Sequence, residues 1–207
     1  MKLILTGLLI VVNIALAGNY LFADETVRTA KGKEVILHDN FTWEYSNQDS
    51  SVSKEALILT KTAGLKNEFK SPSGNYSIFW DPSAWRQTKE LNAQAEMNFT
   101  NKEGSGFAMV LFDGLFISLD QMKNIVIINA KKIDANAYLI ETQPCVVNGT
   151  KGMLATYTAE NQGLKFIFYS LIVAADKGTL QFTFFTLESA FADLKPKFQQ
   201  AMAGLVY

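Results

Sequence analysis

Residues able to do chemistry are sparse in this chain of 207 residues, and their spacing assigns them no reaction. His38 is the single histidine, beside Asp39 in a turn-like stretch. A metal centre needs further His or Cys ligands or a dense carboxylate set. Asp39, Glu44 and Asp49 lack the spacing of a calcium loop. Gly104-Ser105-Gly106 fits neither glycine-rich phosphate cradle. Gly114 and Ser118 do not form the G-x-S-x-G elbow that exposes a nucleophilic serine. Cys145, the one cysteine, sits in an apolar stretch with no basic neighbour to draw off its proton, so it reads as a small buried hydrophobe. The sequence therefore assigns no catalytic, cofactor-binding or metal-binding residue.

The densest cluster with binding character is Trp80, Asp81, Trp85 and Arg86, at the end of an expected strand. Two indoles and a guanidinium can line an apolar or peptide-binding groove. The same indoles can instead plug the space between a sheet and a helix. Trp43 and Tyr45, two positions apart on a short strand, share a face and form a second candidate partner surface.

The elements that must position these residues begin after an export leader. Lys2 precedes an almost wholly apolar run over 3–17, and Ala15-Leu16-Ala17 and Leu21-Phe22-Ala23 are small-residue cleavage sites. That is the layout of a secretory signal peptide. It leads us to expect a signal over 1–23, alternatively cleaved after 17, and a periplasmic or secreted protein. The run is short for a membrane span, which needs about 20 apolar residues. No Lys or Arg follows it until Arg28, so no stable transmembrane segment is expected after signal removal. Loss of Lys2 with the leader takes the formal charge from −1 to −2, which leaves no basic footprint for nucleic acid. With one cysteine the exported fold must rely on its core rather than on disulfides, and 15 Phe supply one. Asn40, Asn75, Asn98 and Asn148 head Asn-x-Ser/Thr triplets, glycan candidates only on a eukaryotic secretory route.

Turn residues then divide the chain. Residues 24–46 read as a small β-meander, 47–55 as a polar linker and 56–207 as the main domain. Strands are expected over 56–61, 76–80, 93–100 and 106–112. Ser118 with Gln121 has the capping-box spacing, and Leu119, Met122, Ile125, Val126 and Ile133 follow at helical intervals. Four longer strands, 137–147, 152–159, 164–174 and 179–187, alternate with turns at Asn148-Gly149, Asn161-Gln162-Gly163 and Asp176-Lys177-Gly178. Pro144 marks an edge or a bulge in the first. Phe182, Phe184 and Phe185 are expected in the core. Phe191, Leu194, Phe198, Met202 and Leu205 predict a closing helix, started or kinked at Pro196. This order predicts an α+β fold: an antiparallel sheet flanked by helices, preceded by a short N-terminal β-meander.

The main domain resembles the PsbP/Mog1-like superfamily over about residues 70–207. The resemblance lies in Ser73-Gly74-Asn75-Tyr76-Ser77-Ile78-Phe79-Trp80-Asp81-Pro82-Ser83-Ala84-Trp85, in Val146-Val147-Asn148-Gly149, in Gly178-Thr179-Leu180-Gln181 and in a helix over 198–205. It implies an antiparallel sheet between helices and, for most members, a non-enzymatic binding or assembly role; the members include bacterial exported proteins of unassigned activity. It carries no catalytic residue onto this chain. Thr42-Trp43-Glu44-Tyr45 is similar to a short meander of bacterial envelope proteins, with Asn40-Phe41 where a glycine turn is usual.

These readings converge on an exported, non-enzymatic binding or assembly protein of the bacterial envelope, its partner a protein, peptide or envelope component. A carrier enclosing a small hydrophobic ligand among the aromatics is the alternative, and a hydrolase the third reading.

Overall fold

The computed structural model describes residues 25–29, 34–38, 42–45, 55–89 and 91–207. The leader, the turn at Asp39-Asn40 and most of the expected linker lie outside these residues. The chain divides into two compact units, Met1–Ser53 and Lys54–Tyr207. In the first, β1 (Glu25–Arg28), β2 (Glu34–Leu37) and β3 (Trp43–Tyr45) form an antiparallel meander. Val35 lies opposite Tyr45 and Leu37 opposite Trp43, so these four positions share a face.

The second unit runs β4 (Leu57–Leu59), β5 (Asn67–Lys70), β6 (Ser77–Trp80), β7 (Trp85–Gln87), β8 (Met97–Asn101), β9 (Phe107–Asp113) and α1 (Leu119–Ala130). It continues with β10 (Tyr138–Val147), β11 (Thr150–Asn161), β12 (Leu164–Ala175), β13 (Gly178–Leu187), α2 (Glu188–Met202) and β14 (Leu205–Val206). Eight strands form one sheet in the order β4-β10-β11-β12-β13-β9-β8-β7, and β14-β6-β5 form a second, smaller one.

The long meander follows from its turns. Asn148 and Gly149 have φ of 46° and 88°, and Gln162 and Gly163 have 53° and 77°. These are two-residue primed turns, whose twist matches that of the strands they join. Asn148 does a second job. Its Nδ2 donates to the carbonyls of Ala203 and Leu205 at 2.9 and 2.6 Å, and its Oδ1 accepts from the Lys61 backbone N–H at 2.8 Å. One turn side chain thus ties the β10–β11 hairpin to both chain ends of the unit.

Alternation along β11–β13 gives the sheet two distinct faces. On one, Leu154, Tyr169, Leu171, Phe182 and Phe184 pack with Leu194, Phe198, Ala201 and Met202 of α2 and with Ile78, Trp80 and Leu205 of the small sheet. On the other, Met153, Ala155, Tyr157 and Ile172 pack with Met122, Val126 and Ala130 of α1. Ser118 caps α1 as expected: its Oγ accepts from the Gln121 N–H at 3.3 Å, and Gln121 Oε1 accepts from the Ser118 N–H at 3.2 Å.

The α+β sheet with its flanking helices and N-terminal meander matches the sequence reading, with local corrections. β5, β7 and β14 were not expected, and β4 pairs parallel with β10 at Cys145–Val147. Pro144 sits just before that pairing begins, where β10 has a strand on one side only. The strand expected from 93 starts at Met97, because Asn92 Oδ1 accepts from the Gln94 N–H and closes a turn there. Ile133 lies past the end of α1 and is exposed. Leu205 continues the helical spacing yet belongs to β14, because the chain turns at Gly204.

Gly204 is where the chain can least accept a side chain. A Cβ there would lie 1.8 Å from the Phe79 carbonyl oxygen, which sits between β6 and β14. Gly204→Ala is therefore expected to cost about 2–3 kcal/mol of unfolding free energy. Urea denaturation followed by tryptophan fluorescence checks this, and an unchanged midpoint would show that the approach is not fixed.

Candidate functional site

The candidate cluster at the end of β6 is split by strand alternation. Trp80 and Trp85 are buried. Trp80 meets Phe99 edge-on at 5.3 Å, and Trp85 meets Phe184 edge-on at 5.2 Å and Phe198 at 6.0 Å. The indoles are core plugs on the α2 side and form no open groove, which corrects the surface reading for Trp80 and for most of Trp85. Arg86, next in sequence, points to the opposite face and is exposed. Asp81 closes the β6–β7 turn by accepting from the Ser83 N–H at 2.8 Å, and hydrogen bonds from Ser83 hold its carboxyl below the ordinary aspartate range. Trp43 is 61% exposed in the N-terminal unit; the side chain of Tyr45 lies outside the described set.

Two hollows adjoin this region. A depression of about 160 Å³ is floored by Leu65, Trp85 and Ala201 and rimmed by Asp81, Glu103 and Lys197. Its rim carries both charge signs and its size suits a single side chain. A more open hollow of about 470 Å³ lies within the β7–β8 loop, lined by Gln87, Lys89, Asn92, Glu96 and Asn98. Asn98 is buried; its Nδ2 donates to the Asn92 carbonyl at 2.9 Å, and its Oδ1 has no partner. Inside the aromatic core, the gap among Trp80, Trp85, Phe99, Phe182 and Phe184 is about 10 Å³, too small for an organic ligand.

An aromatic row lies on the α1 face. Cross-strand register sets Leu139, Tyr157, Phe168, Phe185, Phe107, Thr100 and Arg86 in one continuous row over seven strands. Four rings in it stack in succession, Tyr157–Phe168 at 5.2 Å, Phe168–Phe185 at 5.4 Å and Phe185–Phe107 at 5.3 Å. Phe166 meets Phe185 edge-on at 6.5 Å. Tyr157 is buried under α1, whereas Phe166, Phe185 and Phe107 remain half-buried, and Leu187 and Leu164 beyond them are exposed. Phe185 was expected in the core with Phe182 and Phe184; it takes the other face because it lies one residue from Phe184. The i, i+2 spacing of Phe166 and Phe168, and of Phe107 and Met109, is the signal that could have found this row.

Burial holds the described thiol and three of the described tyrosines in their protonated forms. Cys145 is buried, and burial pushes its thiol up to about 12. Burial also raises Tyr157, where Ser170 and Gln181 form a buried hydroxyl–amide network with Thr183, and it raises Tyr169 beside Gln199. Tyr76 is raised by burial and then by Glu96, whose carboxylate accepts from its hydroxyl. Among the described residues no group of three or more His, Cys, Asp or Glu is placed to hold a metal ion. No described helix is long and apolar enough to cross a membrane.

No protein-family description and no curated protein matches the sequence. Among solved structures, the chain is similar to cyanobacterial PsbP from Synechocystis sp. PCC 6803. Identity is 11% and the TM-score 0.51, over 68% of this chain and 92% of that one. It is also similar to PA94, a protein of unknown function from Pseudomonas aeruginosa, at 14% identity and TM-score 0.43 over 68% and 96% of the two chains. A mutant of the protein Mog1 matches at 8% identity and TM-score 0.44 over 66% and 86%. The PsbP comparison shows a shared fold, in keeping with the distant PsbP/Mog1-like resemblance of the sequence.

The raised groups give stability a defined pH dependence. Cys145 and Tyr76, Tyr157 and Tyr169 keep their protons to higher pH in the folded chain than in the unfolded one. Above the ordinary thiol range of about 8.5 the unfolded state loses protons first, so stability falls as pH rises from there. Native protein at pH 8 is expected to leave Cys145 unmodified by iodoacetamide, with full labelling in urea. Rapid native labelling would show that the β10 core opens.

Proposed function

We propose that this is an exported, non-enzymatic binding or assembly protein of the bacterial envelope. The observation that carries the reading is the half-buried aromatic row on the α1 face. Phe107, Phe166 and Phe185 stay only partly buried beside exposed Leu164 and Leu187, and a contiguous apolar patch of this kind marks an interaction site. The leader pattern of residues 1–23 and the near-neutral composition support export and a protein or envelope partner rather than nucleic acid. The carrier reading finds no support in the aromatic core, whose internal gap of about 10 Å³ holds no lipid.

Two measurements test the proposal. The intact mass of exported protein is expected to correspond to a chain starting at Asp24 or Gly18; a chain starting at Met1 would overturn the leader. Pull-down from a periplasmic extract with the tagged mature chain is expected to enrich a partner at near-equal molar ratio. An empty pull-down, or turnover in a broad hydrolase screen, would overturn the binding reading.

A further inference from the structure

We infer that the hollow of the β7–β8 loop is a binding site for a small zwitterion of the α-amino-acid class, its ammonium held by Glu96 and Asn98 and its carboxylate by Lys89. The site is separate from the aromatic row, so either reading can fail without the other.

An orphaned acceptor is the first argument. Asn98 is 7% exposed and its Oδ1 has no donor, the one buried side-chain atom in that state among the described residues. A buried acceptor left unpaired costs stability, and such a group calls for a partner. Rotating the amide does not supply one. Nδ2 donates to the Asn92 carbonyl at 2.9 Å, and a flip would set Oδ1 against that carbonyl oxygen. Asn92 belongs to the loop that walls the hollow, so the Asn98 carboxamide stands between β8 and that loop. The loop is braced, since Asn92 Oδ1 accepts from the Gln94 N–H at 2.8 Å and the Thr88 N–H donates to the Asn98 carbonyl at 2.9 Å. Oδ1 is sheltered from bulk water, so the donor it lacks must be brought into the hollow. A volume of about 470 Å³ holds an amino acid with room to spare.

Charge is the second argument. Glu96 lines the same hollow, two residues before Asn98. Its Oε2 accepts from the Tyr76 hydroxyl and from Ser71 Oγ, which orient the carboxylate. Its Oε1 has no donor and the group makes no ion pair among the described residues. An ammonium between Glu96 and Asn98 would donate to both, and a charged donor on a carboxylate makes the stronger kind of hydrogen bond. Lys89, exposed on the same lining, is also without an ion pair among the described residues. It opposes a simple amine and suits a ligand that carries a carboxylate as well. No further His, Cys, Asp or Glu among the described residues completes a metal set here.

The probe is L-glutamine, whose polar side chain suits walls made by Gln87 and Asn92. N-acetyl-L-glutamine lacks its ammonium and L-glutaminamide its carboxylate. Calorimetric titration of the mature chain is expected to show L-glutamine binding about tenfold more tightly than either derivative. The Asn98 side-chain amide resonances are expected to shift on saturation. Glu96→Gln, which can still accept from Tyr76 and Ser71, is expected to weaken L-glutamine about tenfold and to leave N-acetyl-L-glutamine unchanged. Lys89→Glu, an exposed change that circular dichroism should show to be folded, is expected to place L-glutaminamide ahead of L-glutamine. No binding up to about 10 mM, equal binding of the three compounds, or unmoved Asn98 resonances would overturn the inference. So would a water signal at Asn98 that persists at ligand saturation, which would assign the acceptor to a buried water alone.

Discussion

The two-residue period of β11, β12 and β13 sends a separate set of large side chains to each face of the sheet, and both sets need cover. Every other feature answers that constraint. The face bearing Tyr169, Leu171, Phe182 and Phe184 is sealed by α2 and by β14-β6-β5. The face bearing Tyr157, Phe168 and Phe185 receives α1 over three strands. One face closes into a core, the other closes in part, and the open part is where the aromatic row surfaces.

Sealing the first face is also what removes a ligand cavity. Phe182 and Phe184 meet at 4.6 Å, Phe184 meets Phe198 at 5.1 Å, and the two buried indoles fill the flanks. Interlocking of this kind leaves a gap of only about 10 Å³ among these rings, in line with the close packing of native interiors. The chain ends hold that closure. The Asn148 side chain bonds to Ala203, Leu205 and Lys61, so a turn that fixes hairpin register also clamps β14 and the exit of β4. The Asn-x-Thr triplet at Asn148 is thereby a structural element, its amide engaged by backbone on both sides.

Sequence legibility follows the range of the forces involved. The four-strand meander, its primed turns and the capping box at Ser118 were readable because each rests on residues within a few positions of one another. β5, β7 and β14 were not. They are two to four residues long and exist because a distant partner offers hydrogen bonds: Trp80 to Asn67, Asn101 to Trp85, Ile78 to Leu205. The end of α2 misled for the same reason. Leu205 keeps the helical interval from Phe198 and Met202, and only the contact of Gly204 with the Phe79 carbonyl explains why the helix stops.

The candidate site obeys the same logic with sharper effect. Trp85 and Arg86 are adjacent in sequence, and adjacency suggests a common surface. In a strand it guarantees the opposite: Trp85 enters the core and Arg86 the far face. Meanwhile Arg86, Phe107, Phe168 and Phe185, spread over a hundred positions of chain, fall into one row because four successive pairings share one register. A slip of one residue at any of those pairings would send the rings beyond it to the other face and break the row. The surface is therefore a property of sheet register rather than of any local stretch. The hairpin turns and the Asn148 clamp that hold the register are then part of what maintains the surface, although none of them lies on it.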